Sequence, residues 1–177
     1  MTTKIALSGT HGTGKTTKVF QLARDIKMNK APLEIMQHVK SKNMTVLCEV
    51  ARDCPYPING ETSVEAQSWI FAEQVKRELD MAIRYDTIVL DRPVFDSIAY
   101  TMRIDQKLGE YMLEMATRAL HYDLIYVMFP EKLYLETDGI RDTNESFQIE
   151  IHEILMSIYE RVQDKLNVIY CTELEYA

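Results

Sequence analysis

Apolar residues along this chain follow two spacings that alternate from one end to the other. Short, nearly continuous apolar runs are typical of buried parallel strands, and apolar positions three or four residues apart are typical of amphipathic helices. Because the two patterns alternate, the sequence predicts an α/β fold with a mainly parallel five-stranded sheet and helices on both faces. The predicted strands are 4–8, 45–50, 87–91, 124–129 and 167–171.

The predicted helices lie between these strands and show apolar faces at helical spacing. Thr62 or Ser63 can cap the helix before the third strand, and Pro93 suits the first turn of the helix after it. Residues 27–43 read as a loop or short helix, and 51–60 as a loop. The predicted faces are Val19, Leu22, Ala23 and Ile26; Phe71, Val75, Leu79 and Ala82; Met112, Met115, Ala116 and Ala119; and Phe147, Ile151, Ile154, Leu155, Ile158 and Val162.

A phosphate-binding loop joins the first strand to the first helix. Its residues match the pattern G-x-x-x-x-G-K-[ST] at every fixed position, and its glycines allow backbone N–H groups to point at a phosphate. Lys15 is predicted to reach the β- and γ-phosphates, and the Thr16 hydroxyl to bind Mg²⁺. The predicted nucleotide-binding residues are Gly9, Thr10, His11, Gly12, Thr13, Gly14, Lys15, Thr16 and Thr17.

Charged residues follow the second and third predicted strands, at the sheet edge where parallel α/β folds bind ligands. Asp91 suits Mg²⁺ coordination beside Thr16, with a helix N-cap as the structural alternative. Arg92 suits an acceptor phosphate or the transferring one, or else a structural ion pair. Glu49 suits proton acceptance from a sugar hydroxyl, Mg²⁺ binding or a structural role, and Arg52 suits substrate binding.

Three further residues are candidates for the site, two on the acceptor side and one at the γ-phosphate. The loop 51–60, which contains Tyr56, is placed to cover an acceptor site, and Trp69 belongs either to the core or to a pocket wall. Residues 131–145 form a long polar stretch that we interpret as a candidate lid. Arg141 within it would bring a cation to the γ-phosphate if the lid closes, and would otherwise be a solvated loop charge.

Composition narrows the partners. At 177 residues with 46% hydrophobic residues, the chain is most simply one domain, 1–177, with a full core. The net charge of −7 disfavours a nucleic-acid partner, and the three cysteines without C-x-x-C spacing favour the cytoplasm over an oxidising compartment. No predicted segment is leader-like or long and apolar enough to span a membrane, and a homodimer stays open.

The phosphate-binding loop, the Asp91-Arg92 pair and the arginine-bearing segment after the fourth strand resemble the P-loop nucleoside and nucleotide kinases, in particular the thymidylate-kinase and deoxynucleoside-kinase pattern. Residues 49–52 and 138–141 also resemble segments of bacterial nicotinamide riboside kinase domains. This resemblance implies a P-loop nucleoside triphosphate hydrolase fold, and it places on Glu49 the role of base toward a 5′-hydroxyl. A glutamate at this position, where thymidylate kinases carry an arginine, weighs against a monophosphate acceptor.

The sequence therefore predicts an ATP- and Mg²⁺-dependent kinase that phosphorylates a small acceptor, with a nucleoside or nucleoside monophosphate favoured. Three alternatives remain open. A polynucleotide 5′-kinase would share the chemistry, a P-loop ATPase would act through a partner, and a nucleotide-binding regulator would show no turnover. A GTPase is disfavoured because the sequence contains no N-K-x-D motif.

Overall fold

The structure is a computed structural model that describes residues 1–129 and 145–171. Within these ranges it has five strands: β1 (Thr3–Ser8), β2 (Met44–Leu47), β3 (Thr87–Asp91), β4 (Leu124–Met128) and β5 (Val168–Cys171). They are all parallel and form one sheet in the order β2-β3-β1-β4-β5. Since all five run in the same direction, their carboxyl ends share one edge, and the register pairs Leu7 with Asp91 and Leu47 with Leu90 near that edge.

Helices cover both faces of the sheet, as predicted. They are α1 (Lys15–Lys27), α2 (Leu33–Met36), α3 (Val64–Arg84), α4 (Val94–Ile104), α5 (Gln106–Ala119) and α6 (Glu145–Val162). Two short 3₁₀ helices, Val50–Asp53 and Asn59–Glu61, lie between β2 and α3. Within the described ranges, no helix combines the length and apolar character needed to cross a membrane.

Alternate side chains of the strands pack into two separate cores. On one face Leu7 and Val89 join α1 and α2 through residues such as Leu22. On the other face, residues such as Ile88 pack against the four helices α3, α4, α5 and α6, and Phe95 of α4 is fully buried there. This division explains the apolar runs of the strands, because both faces of each central strand are covered.

Most predicted element positions agree with the structure, with small differences at the ends. Ser63 caps α3, its Oγ accepting a hydrogen bond from the Ala66 N–H at 3.2 Å. Pro93 lies just before α4 and not in its first turn. The predicted strand 45–50 ends at Leu47, where pairing to β3 stops, and the chain then turns into the 3₁₀ helix Val50–Asp53.

Three predicted core residues are instead exposed: Leu79 is 45% exposed, Met115 is 50% exposed, and Ala119 is exposed as well. On α3, the polar residues Gln74 and Glu78 take the buried positions, because they hydrogen-bond to each other and to other buried polar groups. The buried face is therefore shifted by one residue from the face that the apolar residues alone predict. On α5 the buried face instead follows Gly109, Met112, Leu113 and Ala116.

Candidate functional site

The loop between β1 and α1 has the backbone that its glycines predict. Gly9, Gly12 and Gly14 have φ angles of 139°, 73° and 70°, in the region that side-chain-bearing residues rarely adopt. A Cβ on Gly9 would lie 2.6 Å from the carbonyl oxygen of Met128, so close packing against β4 also requires glycine there. Gly14 directly precedes α1, which places the positive end of the helix dipole at the loop.

The Lys15 side chain is buried inside this loop. Its ammonium donates hydrogen bonds to the Thr10 carbonyl oxygen and, at 2.7 Å, to Thr13 Oγ1. Burial and, to a smaller extent, the neighbouring Arg92 bring the pKa of Lys15 down to about 7, although nearby carboxylates oppose the shift. A phosphate in the loop would supply the negative charge that this buried amine lacks, and would favour its protonated form.

Thr16 and Asp91 form a pair of oxygen donors beside the loop. The Thr16 hydroxyl donates to Asp91 Oδ2 at 2.6 Å, whereas the buried Asp91 Oδ1 has no hydrogen-bond partner among the described residues. Hard oxygen donors of this kind suit Mg²⁺, and an unsatisfied buried carboxylate oxygen is the feature that a cation would complete. The alternative of an Asp91 helix cap is wrong, because Pro93 holds the N-cap position of α4.

Arg92 connects the phosphate-binding loop to the acceptor side. Its Nε donates to Glu49 Oε1 at 2.7 Å, and one terminal nitrogen donates to the Gly9 carbonyl oxygen at 2.8 Å and to Asp96 Oδ2 at 2.9 Å. The backbone of Arg92 is left-handed, with φ of 80°, which costs about 1–3 kcal/mol for a non-glycine residue. Arg92 therefore does form ion pairs, as the structural alternative predicts, but its partners lie at the phosphate-binding loop and in the lining of the cavity described below.

Asp96 was not among the predicted site residues, yet the structure places it under the loop. It accepts hydrogen bonds from the Ser8 hydroxyl and, at 3.2 Å, from the Gly9 N–H. Burial raises the pKa of Asp96, while the neighbouring Arg92 and Lys15 oppose that shift. The available signal was its position one helical turn after Arg92, a spacing that lets opposite charges pair.

Glu49 lies between two arginines. Besides its bond to Arg92, its Oε2 accepts from Arg52 Nε at 3.1 Å. Burial by itself raises the pKa of Glu49, but Arg92, Lys15 and Arg52 outweigh it and bring the pKa down to about 2. Glu49 is therefore ionised at neutral pH and faces the same space as the phosphate-binding loop.

A cavity that is partly open to solvent lies beside these groups. It is bounded by two carboxylates, two guanidiniums, two glutamines and several apolar side chains. The lining residues are His11, Glu49, Val50, Ala51, Arg52, Ile58, Gln67, Ile70, Gln74, Arg92, Pro93, Asp96, Ser97 and Tyr100.

Not every predicted acceptor residue reaches this cavity. Tyr56 is 45% exposed, and Trp69 packs against the core on the helical side, so neither is among the lining residues. Arg141 and the candidate lid lie outside the described residues except at the start of α6. Among the loop residues, His11 lines the cavity, and its ring stacks on Phe147 of α6 at 5.5 Å between centroids.

Two cavity residues that the sequence reasoning missed are glutamines on α3. Gln67 is almost fully buried, and its amide nitrogen donates to Thr62 Oγ1 at 2.8 Å. Its amide oxygen has no hydrogen-bond partner in the part of the chain that the structure describes. Gln74 lies two turns further along the same face. Two glutamines seven residues apart, beside Ile70 and Phe71, were the available signal.

Comparisons with solved structures support this fold. NadR in complex with NR superposes with a TM-score of 0.68 and 22% identity over 94% of this chain, which spans 45% of that protein. Thymidylate kinase from Ehrlichia chaffeensis superposes with a TM-score of 0.61 and 16% identity, and the match covers 98% of this chain and 90% of that protein. Deoxyadenosine kinase from M. mycoides superposes with a TM-score of 0.66 and 14% identity, and the match covers 98% of this chain and 92% of that protein.

These likenesses confirm the predicted P-loop fold and the resemblance to nucleoside and nucleotide kinases at the level of architecture. No curated protein matches the sequence. The sequence model of the AAA domain family matches residues 4–175, almost the whole chain. The chain therefore belongs to the AAA domain family AAA_28, with a P-loop kinase-like fold.

Proposed function

We propose that the protein transfers a phosphoryl group from ATP to a hydroxyl of a small acceptor, with a nucleoside as the favoured substrate. One observation carries the proposal: an ionised Glu49 faces the same cavity as the phosphate-binding loop and is tied to it through Arg92. A carboxylate next to a phosphate site is the arrangement that phosphorylation of a hydroxyl requires.

On the nucleotide side, the loop N–H groups, Lys15 and the start of α1 would hold the ATP phosphates. Thr16 and Asp91 would hold Mg²⁺, directly or through water, and the ion would neutralise charge on the phosphates. Asp91 Oδ1, which has no hydrogen-bond partner in the described part of the chain, supports this placement. Of the comparison structures, NadR has also been solved with NAD and AMP-PNP, at 20% identity and a TM-score of 0.65.

The charge balance of the cavity favours a neutral acceptor group. Glu49 and Asp96 are matched by Arg52 and Arg92, so the lining brings no surplus of cations for an acceptor phosphate. Arg92 already donates to two carboxylates and a carbonyl. A dianionic acceptor would have to compete with Glu49 for these guanidiniums, whereas a hydroxyl would not.

Glu49 would orient the acceptor hydroxyl and receive its proton as the oxygen bonds to phosphorus. A carboxyl whose pKa is about 2 is a weak base, so we expect proton transfer late in the reaction, when the hydroxyl has become acidic. Arg92 holds Glu49 in place and at the same time bonds to the Gly9 carbonyl, which fixes the distance from the acceptor site to the loop.

A nucleoside monophosphate remains the second candidate, and one observation favours it. The Arg52 side chain is 36% exposed at the cavity and pairs with Glu49 at its edge, so it is the guanidinium that could turn toward an acceptor phosphate.

We further propose a single kinase domain acting in the cytoplasm. The unpaired Cys48, Cys54 and Cys171 support that location, and the net charge of −7 argues against a nucleic-acid acceptor.

The test is an acceptor panel. Purified protein with Mg²⁺ and ATP is incubated with nucleosides, nicotinamide riboside, nucleoside monophosphates and an oligonucleotide, and the products are identified by mass spectrometry. We expect acceptor-dependent ADP formation and a new 5′-monophosphate. A diphosphate product would favour the second candidate, and ATP hydrolysis indifferent to every acceptor would contradict the kinase proposal.

A further inference from the structure

The corner formed by Arg92, Pro93 and Val94 joins β3 to α4 and is held from behind by buried side chains. The Arg92 carbonyl accepts a hydrogen bond from Gln74 Nε2 at 3.2 Å. The Val94 N–H donates to the hydroxyl of Tyr122 at 3.1 Å. Side chains therefore satisfy the backbone groups on both sides of Pro93, which itself has no N–H to donate.

Both of these side chains converge on one carboxylate oxygen. Glu78 Oε1 accepts from Gln74 Nε2 at 2.9 Å and from the Tyr122 hydroxyl at 2.7 Å. Its other oxygen pairs with the Lys4 ammonium at 2.9 Å. Glu78 is fully buried and does not line the acceptor cavity. A buried carboxylate is tolerated when it is paired and hydrogen-bonded, and each Glu78 oxygen has a partner.

The corner needs such support because Arg92 has a left-handed backbone directly before a proline, where an extended conformation is preferred. If the corner relaxed, the guanidinium would leave the positions from which it bonds to Glu49 and to the Gly9 carbonyl. We propose that Glu78, acting through Gln74 and Tyr122, is a positioning residue that holds Arg92 between the acceptor site and the phosphate-binding loop.

This inference rests on the proposed function for its kinetic consequence, and on the hydrogen-bond geometry for its structural one. A group that only stabilises the core lowers the amount of folded protein and leaves Arg92 unaffected. A positioning group acts through Arg92, so its effect on the rate depends on that side chain being present. The two roles can therefore be separated by experiment.

The first measurement is a double-mutant cycle. Tyr122→Phe keeps the buried ring and removes the hydroxyl that links Val94 to Glu78. We expect Tyr122→Phe to lower kcat about tenfold with little change in the KM for ATP, and to lower it less than about twofold in an Arg92→Ala background. Glu78→Gln serves as a second variant. Ile35→Val, in the core on the opposite face, is the matched control and is expected to leave kcat unchanged.

The second measurement does not depend on activity. Exchange of the Arg92 Nε–H with solvent, followed by nitrogen-15 NMR, reports its bond to Glu49. We expect faster exchange in Tyr122→Phe and no change in Ile35→Val. Unchanged exchange in a folded Tyr122→Phe protein would overturn the inference, as would rate losses that multiply fully in the double mutant. Faster exchange in a protein that phosphorylates no acceptor would leave the positioning role in place and reject the proposed function instead.

Discussion

The nucleotide side and the acceptor side of the site are built in opposite ways. The nucleotide side comes almost entirely from one continuous segment, 9–16, completed by Asp91 at the end of the neighbouring strand. The acceptor side gathers residues from the segment after β2, from α3, from the corner after β3 and from α4. Phosphate binding needs consecutive backbone N–H groups, whereas an acceptor pocket needs only side chains that meet in space.

The two sides also differ in how their charges are satisfied. Lys15 bonds to neutral oxygens of its own loop, and burial lowers its pKa to about 7. Glu49 and Arg92 are paired with each other, and the pKa of Glu49 is about 2 despite its burial. The nucleotide side lacks a negative partner for Lys15, so we expect an anionic ligand there. The charges of the acceptor side balance one another, so we expect a neutral group there.

Lys15→Ala gives the largest expected effect, because it removes the cation that the nucleotide side places at the phosphates. We expect kcat/KM to fall about 10³-fold or more while the melting temperature stays close to that of the wild type. The measurement is ADP formation with the best acceptor. Lys27→Ala, at the exposed far end of α1, is the control. Normal turnover in Lys15→Ala would show that the nucleotide side does not depend on this cation for phosphate binding.

This difference in construction also explains how far the sequence could be read. The loop and Asp91 were predictable because fixed residue types must occur at fixed spacings between a strand and a helix. Asp96, Gln67 and Gln74 are not predicted for the site, because their local signals, a charge one turn after Arg92 and two glutamines seven residues apart, do not by themselves separate a cavity-facing polar residue from a solvated one. Tyr56 shows the converse: its loop is predicted to cover the acceptor site, but the side chain is exposed and does not line the cavity. Trp69 follows the core alternative of its prediction and not the pocket-wall one.

The strands were predicted more closely than the faces of the helices. Buried parallel strands leave continuous apolar runs, and their positions followed. On α3, however, apolar spacing selected Leu79, whereas the structure buries Glu78 next to it. That choice depends on partners as distant in sequence as Lys4 and Tyr122, which no local pattern can contain.

Glu49→Gln tests the acceptor side with the next largest effect. It keeps the shape of the side chain and removes the proton acceptor, so we expect kcat to fall about 10²–10⁴-fold with little change in acceptor KM. Asp53→Asn, at a nearby carboxylate that pairs with Arg77, is the matched control and is expected to behave like the wild type. A near-normal kcat together with a steep rise in acceptor KM in Arg52→Ala would instead indicate an acceptor phosphate.

Gln67→Leu sharpens the acceptor side further, with a smaller effect. The buried amide oxygen of Gln67 has no hydrogen-bond partner among the described residues, so a donor group on the acceptor would complete it. We expect acceptor KM to rise several-fold, about the worth of one hydrogen bond, with kcat and the KM for ATP nearly unchanged. Gln37→Leu, just after α2 on the other face, is the control. An unchanged acceptor KM would place the substrate's polar groups elsewhere in the cavity.

The smallest expected effect is a proton taken up when nucleotide binds. Because burial lowers the pKa of Lys15 to about 7, the free protein holds this amine largely uncharged at pH 8 and largely charged at pH 6. Phosphates in the loop favour the charged form and raise the pKa toward its ordinary value near 10.4, so binding should take up close to one proton at pH 8 and only about a tenth at pH 6. Titration calorimetry in buffers of different ionisation enthalpy measures this number directly.

The same lowered pKa means that the unfolded chain binds more protons than the folded protein between about pH 7 and pH 10. Without nucleotide, the Lys15 contribution should therefore make the free energy of unfolding increase as the pH rises through that range. Proton uptake that is equal at both pH values, or that persists in Lys15→Ala, would show that the nucleotide side is not short of a counter-charge, and the contrast between the two sides would then rest on geometry alone.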